Sequence, residues 1–368
     1  MHAVEISLKD WRNLADVRFC PEAAINIFLG NNAQGKTNIL EAINFASLLR
    51  SRAGKEAELI RWGQAAALLR IGYVKAGVSH ELAIEVSARQ PRRILLDANP
   101  IRPRELIGKL NSVFFSPEDL FMFKDSPSTR RKFLDAQIAQ AAPIYFLELT
   151  KYTRLVELRN ALLKKIREGS AQAEELELWD EQLADAADKV ISKRLAAVEK
   201  LNVLANAMQQ KMSAQAEDLS IIYDLRGLSV RENIAANFLQ TLRARRLEDV
   251  RRGTTSIGAH LDDLKFFVNG HELKLFGSQG QLRTAALALK LSELQFLKTE
   301  TGEYPLLLLD DVMSELDATR RELLLEFLSR EGIQTLITAT DKAYFPTRPF
   351  GKIFFVKAGT LSERGDNL

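Results

Sequence analysis

The chain holds a single cysteine, Cys20, in 368 residues, so an internal disulfide and a cysteine-built metal centre are both excluded. A lone cysteine of this kind is expected to be a small buried hydrophobe. Long apolar runs are missing as well. The run Leu306 to Leu309 stops at Asp310, far short of the roughly eighteen residues a membrane span needs. The N-terminal segment carries Glu5, Lys9, Asp10 and Arg12, which rules out a secretory signal. Neither sign of charge dominates, since 51 basic and 48 acidic residues leave a net +3. That balance neither demands nor excludes nucleic acid; any phosphate-binding face has to be local. No helix-turn-helix or zinc finger is visible either. With 46% hydrophobic and 27% charged residues the chain reads as a globular, cytoplasmic protein of two domains, or of one large domain with an insertion.

What is present is more specific. Gly30-Asn31-Asn32-Ala33-Gln34-Gly35-Lys36-Thr37 fits G-x-x-x-x-G-K-S/T, a phosphate-binding loop. Its glycines let consecutive backbone N–H groups face one phosphate chain, Lys36 reaches the terminal phosphates, and the Thr37 hydroxyl is placed to hold Mg²⁺. Ile25 to Leu29 reads as the buried strand entering the loop. Ile39, Ala42, Ile43 and Ala46 mark the helix leaving it, whose positive N-terminus faces the anion.

Along the chain, Val4, Ile6 and Leu8 alternate as a strand over 3–10. Period-two patterning from Leu68 to Ile101 predicts an antiparallel β-subdomain with turns near Gly77 and Asn99-Pro100. Leu155, Leu158, Leu162 and Ile166, then Trp179, Leu183, Val190, Leu201, Leu204 and Met212, predict two long helices joined at Gly169-Ser170. Their stripes are packing faces. A strand at 219–228, a basic helix at 231–252 and a hairpin around Asn269-Gly270 follow. Helix and strand then alternate to the end.

A phosphate loop needs a metal-holding acid on a neighbouring strand. Leu306 to Leu309 followed by Asp310-Asp311 supplies it. Asp310 is placed to bind Mg²⁺, through water, and Asp311 to polarise the water that attacks a phosphoryl group.

Asp310-Asp311-Val312-Met313-Ser314-Glu315-Leu316-Asp317 resembles the Walker B plus D-loop segment of ABC-type ATPases. Ser278-Gln279-Gly280-Gln281 resembles their signature motif at a helix start. The 242 residues between Lys36 and Gln279 are similar to the chromosome-maintenance branch, in which a helical segment interrupts the head. Within it, the bacterial RecF recombination mediators match closely. Leu8 to Leu14 resembles their L-x-N-F-R-N element, with Asp10 and Trp11 departing from it. Ser116-Pro117-Glu118-Asp119-Leu120, then Pro127 to Asp135, is similar to P-E-D-L…P-x-x-R-R-x-F-L-D. Gly258 to Asp263 resembles G-P-H-R-D-D, with Ala259 and Leu261 in place of Pro and Arg. Thr340 stands near the place of the histidine that transporter ATPases carry.

This resemblance implies an α/β fold: an ABC-type P-loop ATPase head with an antiparallel β-subdomain, residues 1–126 and 253–368. A mostly helical arm, 127–252, is inserted. It implies a weak DNA-dependent ATPase of recombinational repair and replication, using ATP and Mg²⁺. Such a protein forms an ATP-driven homodimer in which Ser278, Gly280 and Gln281 face the partner's nucleotide. Gaps or single-strand/duplex junctions as targets, and RecR and RecO as partners in loading recombinase, follow from the same resemblance. The DNA-contact candidates are Arg50, Arg52, Lys55, Arg92, Arg93, Arg102 and Arg104, each also readable as an ordinary solvated charge. Two other readings stay open: an ATP-gated structural DNA clamp without turnover, and an ATPase subunit of a transporter.

Overall fold

The computed structural model describes residues 1–50, 54–228, 232–346 and 350–363. They form two compact units, Met1–Phe121 with Arg283–Leu368, and Met122–Leu282.

The first unit opens with β1 (His2–Trp11), β2 (Leu14–Phe19), β3 (Ile25–Leu29) and α1 (Lys36–Leu48). Next come β4 (Ala66–Lys75), β5 (Val78–Ser87), β6 (Arg93–Leu96), β7 (Asn99–Pro100), α2 (Pro103–Leu106) and β8 (Ser112–Phe115). The second unit carries α3 (Pro127–Ala141), α4 (Pro143–Arg167), α5 (Leu176–Met212), β9 (Leu219–Asp224) and α6 (Ile234–Arg252). It continues with β10 (Asp263–Val268), β11 (His271–Glu272) and α7 (Leu273–Phe276), and the boundary then falls inside α8 (Gln279–Thr301). The first unit ends with β12 (Leu306–Asp310), α9 (Val312–Glu315), α10 (Ala318–Glu331), β13 (Thr335–Ala339), β14 (Lys352–Lys357) and β15 (Thr360–Ser362).

In the first unit one sheet is antiparallel, in the order β2-β1-β4-β5-β6-β7. The other runs β15-β14-β3-β13-β12-β8, parallel except at β15. The apolar runs Ile25–Leu29, Leu306–Leu309 and Thr335–Ala339 are buried residue by residue, as strands covered on both faces must be. Helix α1 is buried on both sides. Ile39, Leu40, Ile43 and Phe45 pack with Ile6, Leu8, Trp11, Leu69 and Ile71 of the antiparallel sheet and with Phe28, Leu308 and Leu336 of the parallel one. The phosphate loop therefore leads into a helix clamped between two sheets.

The turn expected near Asn99-Pro100 falls two residues earlier. Asn99 and Pro100 pair with Leu96 and Leu95 as an edge strand, and the turn is Asp97-Ala98, at φ 51° and 62°. The Asp97 carboxylate accepts from Glu81 N and lies 2.8 Å from His80 Nδ1, which fixes the left-handed pair without a glycine. Cys20, expected in the core, is exposed just past β2.

The second unit contains the expected helical hairpin, α4 against α5, and a three-stranded sheet β11-β10-β9 whose Asn269-Gly270 turn has φ 48° and 80°. Pairing of β10 with β9 brings 263–268 into this unit, later in the chain than residue 253. Its interior holds ion pairs among apolar side chains. Fully buried Arg159 on α4 donates to Asp180 of α5 (2.7 Å), Asp249 of α6 (2.7 Å) and Thr255 Oγ1 (3.0 Å). Arg194 of α5 binds both oxygens of Asp135 (2.9 and 3.0 Å) and donates to Tyr223 Oη and to the Ala259 carbonyl. Arg130 holds Asp263 through two 2.8 Å bonds. Tyr152 Oη lies 2.7 Å from His260 Nδ1, and burial holds the His260 pKa below its ordinary value. Among the described residues no helix is long and apolar enough to cross a membrane.

Removing one member of a buried ion pair strands its partners without water. Arg159→Ala is expected to destabilise the fold by about 3–5 kcal/mol in chemical denaturation. A change below about 1 kcal/mol would put these pairs in the class of surface ion pairs.

Candidate nucleotide site

The parallel sheet aligns the ends of three strands. Asp310 is level with Thr338, and Thr338 with Phe28, so the loop after β3 and the acids after β12 open at one carboxyl edge. That edge is where ligands bind in open α/β sheets. The loop is shaped by two close approaches. A Cβ on Gly30 would lie 2.3 Å from the Val356 carbonyl oxygen. Gly35 has φ 108° and turns the chain against the Asn13 side chain. Gln34 ties the loop to the β14–β15 turn, its Oε1 accepting from Ala358 N and its carbonyl from Gly359 N. Asn38 donates to Asn13 Oδ1.

Asn31, Asn32 and Ala33 are exposed, whereas Lys36 is buried and folds back on the loop. Its Nζ donates to the carbonyls of Gly30 (2.6 Å) and Asn31 (2.7 Å). Burial lowers the Lys36 pKa, and the nearby charges of Asp311 and Asp310 oppose that shift.

Asp310 Oδ1 accepts from Thr37 Oγ1 at 2.9 Å and from Thr338 Oγ1 at 2.8 Å. Asp311 sits in the left-handed region at φ 52° and donates its N–H to Thr338 Oγ1 at 2.9 Å. Asp311 Oδ1 is shielded from solvent without a hydrogen-bond partner. Burial raises the Asp311 pKa; Lys36 lowers it, while Asp310 and Glu315 raise it further. Residues 32–38 with Asp310, Asp311 and Thr338 line a cleft of about 170 Å³. The Thr37 and Asp310 oxygens suit Mg²⁺: both are hard donors held together at one cleft, where Thr37 would bind the ion and Asp310 would hold it through water.

The signature segment, in the second unit, is a helix start. Gln281 N donates to Ser278 Oγ (3.2 Å) and Ser278 N to Gln281 Oε1 (3.1 Å), a reciprocal cap of α8. Gly280 has space around it, since an added Cβ meets no heavy atom within 4 Å. Further along α8, Arg283 pairs with Glu315 at 3.0 Å, and buried Lys290 pairs with Asp119 at 3.2 Å.

The chain matches the RecF/RecN/SMC N terminal domain family over residues 3–359. It is 40% identical to the DNA replication and repair protein RecF of Halothermothrix orenii (strain H 168 / OCM 544 / DSM 9562), covering 98% of this chain and 99% of that protein. The chain belongs to the RecF family. Identity to the RecF of Heliobacterium modesticaldum (strain ATCC 51547 / Ice1) is 38%, over 100% of both chains. The solved structure of the recombination mediator protein RecF-ATP in the RecFOR pathway is similar at TM-score 0.90 and 36% identity, covering 98% of this chain and 97% of that one. An Smc head bound to the C-winged helix domain of ScpA, at TM-score 0.58 and 14% identity, shares the fold alone. The fold is thus that of the RecF and SMC ABC-ATPase head.

The basic candidates fall into separate groups. Arg92 is paired with Glu56, the residue after Lys55, whereas Arg93, next in the chain, lines a cleft with Arg70 and Glu85. Arg50 is exposed at the end of α1, and Arg102 and Arg104 are exposed at α2. Arg52 lies outside the described residues. Sequence reasoning missed Thr338. Its signal was one of two hydroxyls in a buried strand, the one that pairing sets level with Asp310.

A carboxyl whose pKa is raised in the fold opposes folding above the ordinary carboxylate range, and that penalty lifts as pH falls through the raised value. Asp311→Asn removes the charge and tolerates the left-handed backbone. The nucleotide-free variant is expected to melt no lower than the parent near pH ~7.5, with the difference closing toward pH ~4. Calorimetry at the two pH values checks this.

Proposed function

We propose that this chain is a Mg²⁺-dependent, slow ATPase of recombinational repair and replication that binds DNA and dimerises on ATP. The observation that carries the reading is the convergence of Lys36, Thr37, Asp310 and Asp311 on one cleft, in a chain whose relative of like fold is described with ATP. The loop Gly30 to Thr37 cradles the phosphates. Lys36 exchanges the Gly30 and Asn31 carbonyls for phosphate oxygens. Thr37 and Asp310 hold Mg²⁺, which neutralises charge on the phosphates. Asp311 orients the attacking water and takes its proton, and its unpartnered Oδ1 supports that role. Aspartate is one methylene shorter than glutamate, so turnover is slow. That same feature keeps the clamp reading, binding without hydrolysis, as the second one.

Ser278, Gly280 and Gln281 belong to the ATPase head in function and face the nucleotide of a second copy, giving two symmetric composite sites. DNA is held at gaps or single-strand/duplex junctions through its phosphates, by Arg50, Arg52, Lys55, Arg93, Arg102 and Arg104. Arg92 contributes less, since Glu56 already neutralises it. RecR and RecO are the partners in the cytoplasm.

Lys36→Ala is expected to weaken ATP binding roughly 10- to 100-fold, the value of one hydrogen bond to a charged group. Asp311→Asn keeps binding and loses hydrolysis by about 10²-fold or more. Ser278→Arg leaves ATP binding to the monomer nearly intact and blocks the ATP-driven shift to dimer in sedimentation. A Ser278→Arg chain that dimerises normally, or unchanged phosphate release from Asp311→Asn, sinks the respective assignment.

Affinity for gapped DNA is expected to fall steeply with salt, by a log–log slope of about 0.9 for each duplex phosphate contacted. Replacing Lys55 and Arg93 together reduces that slope. An affinity independent of salt would exclude a backbone-directed interface.

A further inference from the structure

We propose that Thr338 is the positioning residue of the acid pair, one hydroxyl that orients the Asp310 carboxylate and the Asp311 backbone together. The proposal rests on the ATPase reading above and adds a residue to it. Thr338 lies near the carboxyl end of β13, is completely buried, and is the ladder partner of Asp310. Its Oγ1 is 2.8 Å from Asp310 Oδ1 and 2.9 Å from Asp311 N.

The direction of these two bonds is fixed by inventory. A backbone N–H can only donate, so Oγ1 accepts from Asp311 N. The hydroxyl has one proton, and that proton goes to Asp310 Oδ1. One side chain therefore faces the metal-holding acid as a donor and the base-bearing residue as an acceptor. Neither role can be reversed.

The bond to Asp311 N has a particular task. Asp311 is a non-glycine residue at φ 52° and ψ 23°, a backbone state that relaxes unless its surroundings hold it. Thr338 grips its amide from the neighbouring strand, and the Ser314 hydroxyl grips its carbonyl at 2.8 Å. The left-handed turn directs the chain from β12 into α9, and the Asp311 side chain lines the phosphate cleft beside Lys36. A valine at 338 would fill the same volume and could neither donate nor accept. A serine would do both.

The test compares Thr338→Val and Thr338→Ser with the parent chain by residue-resolved amide exchange without nucleotide, by ATP affinity, and by kcat. For Thr338→Val the Asp311 amide should exchange about tenfold faster or more, while the amides of Leu307 to Leu309 keep their protection. ATP affinity should stay within about threefold, and kcat should fall about tenfold or more. Thr338→Ser should return exchange and kcat to within about threefold of the parent. Should the valine chain fail to fold, Thr338→Ala takes its place in the same comparison. Parental exchange and kcat in the valine chain would overturn the proposal. A serine chain as impaired as the valine one would do so too, because the methyl group would then be what matters. Absence of turnover in the parent chain would instead refute the ATPase reading, and the exchange measurement would still decide the role of Thr338.

Discussion

One oxygen of Asp310, shared by the hydroxyls of Thr37 and Thr338, is the point on which the site depends. Thr37 belongs to the helix after the phosphate loop, Asp310 to β12, and Thr338 to β13, which separates β12 from β3. These groups meet only if three parallel strands keep register to a single residue. A slip by one would turn each side chain to the opposite face of the sheet. Register here is secured by burial: every residue of β3, β12 and β13 is covered. The clamping of α1 between two sheets serves the same end, because it fixes where Thr37 stands along its axis.

The motifs that mark RecF relatives are mostly not at this cleft. Arg130, Arg131 and Asp135 of one and Ala259, His260, Asp262 and Asp263 of the other are tied together inside the second unit. Arg131 donates to the Asp262 carbonyl, Tyr223 Oη to the Asp262 carboxylate, and Arg194 joins Asp135 to the Ala259 carbonyl. An exposed Arg-Arg pair would invite a phosphate-binding reading. Here Arg130 is buried and matched to Asp263, and half-buried Arg131 is spent on a backbone carbonyl, so the pair fixes the placement of helix and sheet. Ala259 contributes its backbone oxygen and a fully buried methyl, so the departure from proline leaves that contact intact.

The sequence made the phosphate loop, the acid pair and the helical hairpin legible because each is written in consecutive residues or a simple period. The antiparallel subdomain was legible for the same reason. What escaped was set by partners distant in the chain. Asp97-Ala98 became the turn because a strand sixteen residues back supplied Glu81 N to the Asp97 carboxylate. Cys20 proved exposed because β2 ends one residue earlier. The role of Thr338 requires knowing that β13 lies beside β12, and nothing in Thr335–Ala339 alone says so.

Ser278 raises the question whether a helix cap can also be a ligand. Accepting from Gln281 N uses one lone pair of its hydroxyl and leaves the proton; Gln281 gives up its carbonyl oxygen to Ser278 N and keeps its amide protons. Capping therefore presets the donors and does not consume them. Gly280 points the same way. It has an ordinary φ, and among the described residues no side chain or neighbouring segment fills the space where a Cβ would go. In a helix glycine costs about 1 kcal/mol relative to alanine. A residue that weakens its own helix beside such open space is explained by something approaching from outside, close enough that a methyl group would stand in its way. An anion seated on the helix N-terminus is such a thing. The cap, the bare backbone and the helix dipole then favour one occupant together, which supports reading the segment as half of a shared nucleotide site.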